Sequence, residues 1–201
     1  MQSSNPIRVA GLTDETLLHA AARGHLPDWA VASDERRAHM GRVATLLGEW
    51  AVRLRLSDHE RTEWMALGYL HDALRDAPVA QLHGEVEEKF RDLPGPLLHG
   101  PAAAQRLVGA LSPALLNAIR YHTIGHPSLD RAGKALYLAD FLEPGRDFEV
   151  EWRESLSARM PEELDAVLTE VVAARLQHLV DLRRQIRPET AAFWSAIVVP
   201  G

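Results

Sequence analysis

Apolar residues recur along this chain at three- and four-residue intervals almost throughout, and no convincing run of alternating β-branched residues interrupts them. The pattern predicts an all-α fold. A short helix is expected over 13–23, with Thr13 as N-cap, Asp14 and Glu15 in its first turn and Gly24 as its stop. Ser33 caps a second helix running to about residue 56, with Met40, Val43, Leu47, Trp50 and Leu54 on its buried side. Ser57-Asp58-His59-Glu60 reads as a capping box that opens a third helix toward Arg75. Residues 76–98 are mixed, with one short helix around 85–90 and a break at Leu93-Pro94-Gly95-Pro96. Pro101 and Pro113 stand as first-turn prolines of helices near 101–110 and 113–122. A turn over 123–127 precedes a helix over 129–143, stopped by Pro144-Gly145. A long helix over 161–186 and a terminal one after Pro188 complete the chain.

Polar residues on these apolar stripes carry the chemical information. His39 shares a face with Val43, Leu46 and Trp50, and His71 continues the line of Trp64, Leu67 and Gly68. Asp72 follows His71 directly. His99 sits at the entrance of a helix, His122 ends the line of Leu115 and Ile119, and Asp140 continues that of Leu129, Gly133 and Leu136. One inward histidine is more often a satisfied core residue than a ligand, and one buried aspartate serves an ion pair as readily as a cation. Five segments, however, each aim an imidazole or carboxylate at the same interior. Imidazole suits iron, manganese and zinc, and a carboxylate can bridge two ions. A two-metal centre holds its ions roughly 3.5–4 Å apart, flanking the oxygens of an in-line phosphoryl displacement.

Composition narrows the choice. The 201 residues include ten histidines and no cysteine, so disulfides, thiolate zinc sites, iron–sulfur clusters and cysteine nucleophiles are excluded. Any metal must be held by imidazole and carboxylate. The net charge of -6 argues against long polyanions and anionic membranes as partners, though not against a small anion met by a cation. No apolar leader and no membrane-length stretch is visible, which makes a cytoplasmic location the expectation. Nothing in the sequence sets the oligomeric state.

The order His39, His71-Asp72, His99, His122, Asp140 resembles the HD-domain phosphohydrolase superfamily. More narrowly, the chain looks like the YqeK-type symmetrical bis(5'-nucleosyl)-tetraphosphatases, the diadenosine tetraphosphate hydrolases of bacteria. That likeness rests on Glu35-Arg36-Arg37-Ala38-His39-Met40-Gly41-Arg42-Val43 and Leu70-His71-Asp72-Ala73-Leu74-Arg75-Asp76. It continues in Leu97-Leu98-His99-Gly100-Pro101, in Ala118-Ile119-Arg120-Tyr121-His122-Thr123-Ile124-Gly125 and in Leu136-Tyr137-Leu138-Ala139-Asp140-Phe141-Leu142-Glu143-Pro144-Gly145-Arg146. It ends at Ile186-Arg187-Pro188-Glu189-Thr190 and covers about residues 33–198. Residues 31–201 then form an HD-type phosphohydrolase domain, preceded by an extension over 1–30 read as a packed helix.

The resemblance implies a helical bundle around a dinuclear metal site, most commonly iron, with manganese or another transition metal as the substitute. By position, His39, His71, Asp72 and Asp140 would hold one ion. Asp72 would reach a second, held also by His99 and His122. The implied reaction cuts diadenosine tetraphosphate into two ADP molecules. Alternatives are an HD phosphatase for nucleoside monophosphates or other small phosphoesters, and a regulator that binds nucleotide without turnover. Arg75 is a candidate phosphate fork, against a surface ion pair with Asp76. Asp76 is a candidate for orienting water or protonating the leaving oxygen, against a helix-end hydrogen bond. Thr123, His126 and Arg146 are candidate phosphate contacts, against a turn hydroxyl, a loop histidine and a structural salt bridge respectively. His19, His25, His59, His83 and His178 read as ordinary. The five tryptophans read as core rather than as adenine platforms, with only Trp29 and Trp152 near expected loops.

Overall fold

Ser33 and Ser57 start the two helices that frame the site, and both act as the sequence suggests. In the computed structural model, which describes residues 14–198, Ser33 accepts from the Arg36 amide and Ser57 forms a full capping box with Glu60. The helices are α1 (Asp14–Ala22), α2 (Asp34–Arg53), α3 (Asp58–Leu70), α4 (Val79–Glu85), α5 (His99–Arg106), α6 (Pro113–Tyr121), α7 (Arg131–Leu142), α8 (Val150–Arg159), α9 (Leu164–Asp181) and α10 (Pro188–Val198). No β-strand occurs among the described residues, and none of their helices is long and apolar enough to cross a membrane. Thr13, the expected cap of α1, lies outside the described residues.

One core holds the helices together. α2 lies along α3, α1 covers α3 through Leu17, Leu18 and Ala21, and α7 packs against α2, α3, α6 and α9. Gly68 lets α2 and α3 approach closely, since a Cβ there would fall 2.5 Å from Ala44 Cα. That close approach brings the end of α3 beside the middle of α2, where His39 points inward.

Four boundaries differ from expectation, each for a local reason. The third helix ends at Leu70 rather than Arg75: beyond it the chain tightens into three-residue turns, and Val31 takes the Ala73 carbonyl and the Asp76 amide. The short helix expected at 85–90 is only a three-residue 3-10 turn, Glu88–Phe90, and a separate α-helix precedes it, starting after Pro78 and stopping where Val86 becomes extended. The long helix expected over 161–186 runs only from Leu164 to Asp181, with Arg183 left-handed beyond it. Helix α8 is not foreshadowed at all, because Arg153 and Leu156 are its only buried residues and no apolar stripe marks it.

Candidate metal centre and cleft

Helix ends converge on one buried point. His39 comes from the inner face of α2, His71 and Asp72 from the turn closing α3, His99 from the first turn of α5, His122 from the end of α6 and Asp140 from α7. Gly100 is what lets α5 and α6 meet there: a Cβ on it would lie 2.8 Å from the Ile119 carbonyl and 3.1 Å from the His122 ring. Asp72 is the hub. Its Oδ2 faces His71 Nε2 at 3.6 Å and His39 Nε2 at 3.7 Å, while its Oδ1 faces His99 Nε2 at 3.0 Å and His122 Nε2 at 3.7 Å. Asp140 Oδ1 adds a second carboxylate 3.1 Å from His39 Nε2 and 4.0 Å from His71 Nε2.

The hydrogen bonds on the far side of each ring set the chemistry of the near side. His71, His99 and His122 donate through Nδ1 to the carbonyls of Gly68 (3.0 Å), Pro96 (2.9 Å) and Ile119 (2.8 Å). A carbonyl only accepts, so each Nδ1 carries a hydrogen, and in the neutral ring Nε2 turns a lone pair inward. His39 does the same against the carboxylate of Glu143 at 3.1 Å. Buried Nε2 atoms of His39 and His71 have no hydrogen-bond partner among the described residues. His99 and His122 bring their Nε2 atoms to 3.0 Å, an approach of two lone pairs that repels unless a cation lies between. These are the marks of a donor set that fits a metal ion. Two sets, His39–His71–Asp140 and His71–Asp72–His122, each offer ligand atoms within 4.8 Å of one another.

Ionisation follows the same logic. Burial pushes His71 down to about 4, against the pull of Asp72, so the ring is neutral near pH 7. Burial also lowers His99. For His122, burial works downward but the hydrogen bond and charge of Asp72 outweigh it, and the net direction is up. Desolvation would raise both aspartates. In the acid range where the rings take up protons, the His71 charge and the His122 and His99 hydrogen bonds hold Asp72 well below the usual carboxylate range, and the His39 hydrogen bond with the His71 and Arg146 charges does so for Asp140.

A cleft of about 990 Å³ opens from Asp72, His99, His122 and Asp140. Arg36, Arg75, Arg146, Arg175 and Arg187 line it, together with Phe141, Phe148 and Trp152. Arg36 donates to Asp72 Oδ2 at 2.8 Å, Arg146 to Asp140 Oδ1 at 2.6 Å, and Arg175 to the Thr123 carbonyl at 2.8 Å. Of the residues singled out from sequence for substrate, Arg75, Thr123 and Arg146 face this cleft. Thr123 donates its hydroxyl to His122 Nε2 at 2.9 Å. Two others are engaged elsewhere: Asp76 is exposed and accepts the Ser33 amide at 2.8 Å, and His126 stacks on Tyr121 and bonds Ser128. Neither belongs to the cleft lining. His178 does, although it read as ordinary from the sequence, and so does Trp152, one of the two tryptophans expected near loops.

Glu143 is the principal residue the sequence reasoning passed over. It is 2% exposed and accepts from His39 Nδ1, from the Arg42 guanidinium and, at 2.7 Å, from the Gly145 amide. Burial opposes its ionisation, yet the Arg42 bond, the Gly145 amide and His39 together carry it down to about 2. Its spacing three residues after Asp140 was a usable signal, since i and i+3 share a helix face.

Comparison with known proteins agrees with this geometry. Residues 36–145, more than half of the chain, match the HD domain family. The chain is 28% identical over 106 residues to the symmetrical bis(5'-nucleosyl)-tetraphosphatase of Halalkalibacterium halodurans, covering 51% of this chain and 56% of that protein. Against the enzyme of the same name from Staphylococcus aureus it is 30% identical over 122 residues, 56% of this chain and 61% of the relative. A shorter match, 44% over 55 residues, links it to that of Bacillus subtilis, covering 26% of this chain and 30% of the relative. The chain thus spans less than two thirds of the relatives it matches. In fold it superposes on a solved protein from Clostridium acetobutylicum described as a predicted HD superfamily hydrolase involved in NAD metabolism. The TM-score is 0.72 at 20% identity, covering 93% of this chain and 97% of that one. Both the matched span and the shared architecture enclose the His71-Asp72 pair, and the chain belongs to the HD domain family.

Proposed function

We propose that this protein is a metal-dependent hydrolase that cuts diadenosine tetraphosphate symmetrically, adding one water and releasing two ADP molecules. The observation that carries the reading is the position of Asp72, with one oxygen toward each of two histidine pairs at the floor of an arginine-lined cleft. His39, His71, Asp72 and Asp140 would hold one ion, and Asp72, His99 and His122 a second. Bound there, the ions supply positive charge against the phosphates and acidify water. Iron is the proposed metal on the strength of the family resemblance, with manganese or another transition metal as the alternative, since imidazole and carboxylate donors accept any of them.

Residues of the chain itself supply the rest. Arg75 would fork phosphate oxygens, as guanidinium does better than ammonium, and Arg146 would add only the Nη1 that its bonds to Asp140 leave over. Thr123 reaches the cleft beside His122 Nε2, and with that nitrogen on an ion its hydroxyl would be free to meet a phosphate oxygen. Asp76 and His126 stay outside the proposed machinery, since other partners engage them. The names of the relatives support the substrate, and the cleft supports its size: about 990 Å³ is at the upper end of ordinary ligand pockets of roughly 300–1,000 Å³. The test is product analysis. Metal-loaded protein given diadenosine tetraphosphate should yield ADP as the sole nucleotide, and ATP with AMP would refute the symmetrical cut. His71→Ala and Asp72→Ala should each lose metal and turnover, and retention of both would overturn the ligand set. Faster release of phosphate from nucleoside monophosphates would select the phosphatase reading instead.

A further inference from the structure

Beside the arginines, the cleft is lined by aromatic rings: Phe141 and Trp152, which also pack partly against the core, and the more exposed Phe148. Phe148 lies on the cleft with 42% of its surface exposed. Phe141 meets it edge-on at 5.6 Å and meets the half-buried Trp152 edge-on at 5.9 Å. One face of Phe148 rests on the guanidinium of Arg153, 4.9 Å from the ring centroid. Arg153 itself is buried and donates to the carbonyls of Phe141, Glu143, Arg146 and Phe148. The segment that presents the ring is therefore tied down, and a ring tied in an exposed position is ready for a ligand without further ordering.

We propose that Phe148 and Trp152 form a platform on which a nucleobase of the substrate stacks. The proposal rests on the reading of the substrate as a nucleoside polyphosphate. Its independent support is the set of groups that share the cleft. The lining that carries these rings also carries Asp140 and Arg146, bonded to each other at 2.6 Å, and Phe148 follows Arg146 by two residues. One cleft thus offers ion ligands, guanidinium and aromatic rings together. A nucleotide carries the matching parts, phosphates and a flat, polarisable ring joined by a short sugar. An aromatic platform holds any base by its π-face, so it secures a nucleoside without depending on one hydrogen-bond pattern.

The test separates base from phosphate, and it reads binding rather than turnover. Equilibrium binding of ADP and of inorganic pyrophosphate is measured by titration calorimetry on manganese-loaded protein. Wild type is compared with Phe148→Ala, Trp152→Ala and Phe148→Tyr. Each alanine variant should bind ADP about tenfold more weakly, with pyrophosphate affinity unchanged within about twofold. Phe148→Tyr should keep the affinity of wild type for ADP. Equal weakening of both ligands would overturn the platform, because the rings would then act only by shaping the segment around Arg146. Unchanged ADP affinity in both alanine variants would overturn it as well. Because no turnover is involved, failure of the tetraphosphatase assay and failure of this one are separate results.

Discussion

Replacing Arg153 by Met tests whether one buried guanidinium holds the cleft wall. The side chain is 3% exposed and makes no ion pair among the described residues, so its charge is met by carbonyl dipoles. Burial accordingly lowers its pKa, with Arg146 adding to the effect. Methionine fills similar space but donates nothing. Three of the four bonds are well formed: Nε to Phe141 O at 2.9 Å, Nη1 to Arg146 O at 3.0 Å, and Nη2 to Glu143 O. The fourth, to Phe148 O at 3.4 Å, is weak. Hydrogen bonds to a charged group contribute about 1.5–3 kcal/mol each. The lower figure applies here because the loosened segment can turn its carbonyls to water, which gives about 4–5 kcal/mol. In a chain of this size each kcal/mol moves Tm by about 2–4 °C, so calorimetry should show a fall of about 10–15 °C. Hydrogen exchange should show lost protection in residues 143–149 ahead of the rest. Arg153→Lys should recover part of both, since an ammonium donates but lacks the planar fork. Tm within about 2 °C of wild type together with unchanged exchange would refute the reasoning.

Two further predictions concern the centre. Glu143→Gln keeps an acceptor for His39 but removes the charge that Arg42 and His39 both use, so metal affinity should fall about 10- to 100-fold. Competition with a chelating dye reads this without turnover, and unchanged affinity would remove Glu143 from any role in holding the ligand. In metal-free protein, His71 has a folded pKa of about 4 against 6.5 for the free side chain. Above pH 6.5 neither state holds that proton and the group costs nothing. Below it the unfolded chain takes up a proton that the fold refuses, so stability falls until about pH 4, by about 3 kcal/mol in all. His122 shifts the opposite way, so the comparison is with His71→Gln, in which only the His71 contribution is missing. Urea titrations should show the two stabilities converging between pH 6.5 and 4, and parallel curves would contradict the burial argument.

Helical periodicity made much of this site legible. His39, His71, His122 and Asp140 sit on apolar stripes because their backbones belong to core helices, and the structure points all four inward. The starts of α2, α3 and α6 were legible too, because the Ser33 and Ser57 caps and the first-turn Pro113 act within a few residues of themselves. What stayed hidden depends on contacts with no local signature. Arg153 bonds carbonyls, which every residue carries, so nothing marks its partners. Arg175 and Arg187 reach the cleft from the far C-terminal part of the chain, where a lone arginine reads as surface. Helix α8 escaped notice for the same reason, since its main buried group is itself a cation.

Charge pairing at the centre bears on which ion it would take. Every carboxylate there already faces a guanidinium: Asp72 meets Arg36, Asp140 meets Arg146 and Glu143 meets Arg42. Their negative charge is therefore largely answered within the protein. Less well answered are the imidazole nitrogens: two are buried with no hydrogen-bond partner among the described residues, and two more are pressed together at 3.0 Å, with the Thr123 hydroxyl on one of them. Magnesium and calcium seek oxygen ligands and gain little from such a set. Transition ions, which bind neutral imidazole well, answer that demand directly. Arg75, Arg175 and Arg187, the cleft arginines not paired with carboxylates of the centre, meanwhile set positive charge there against the net -6 of the chain. A short polyphosphate entering the cleft would meet that local field rather than the average one, because exposed charges beyond about 8 Å are screened at physiological salt.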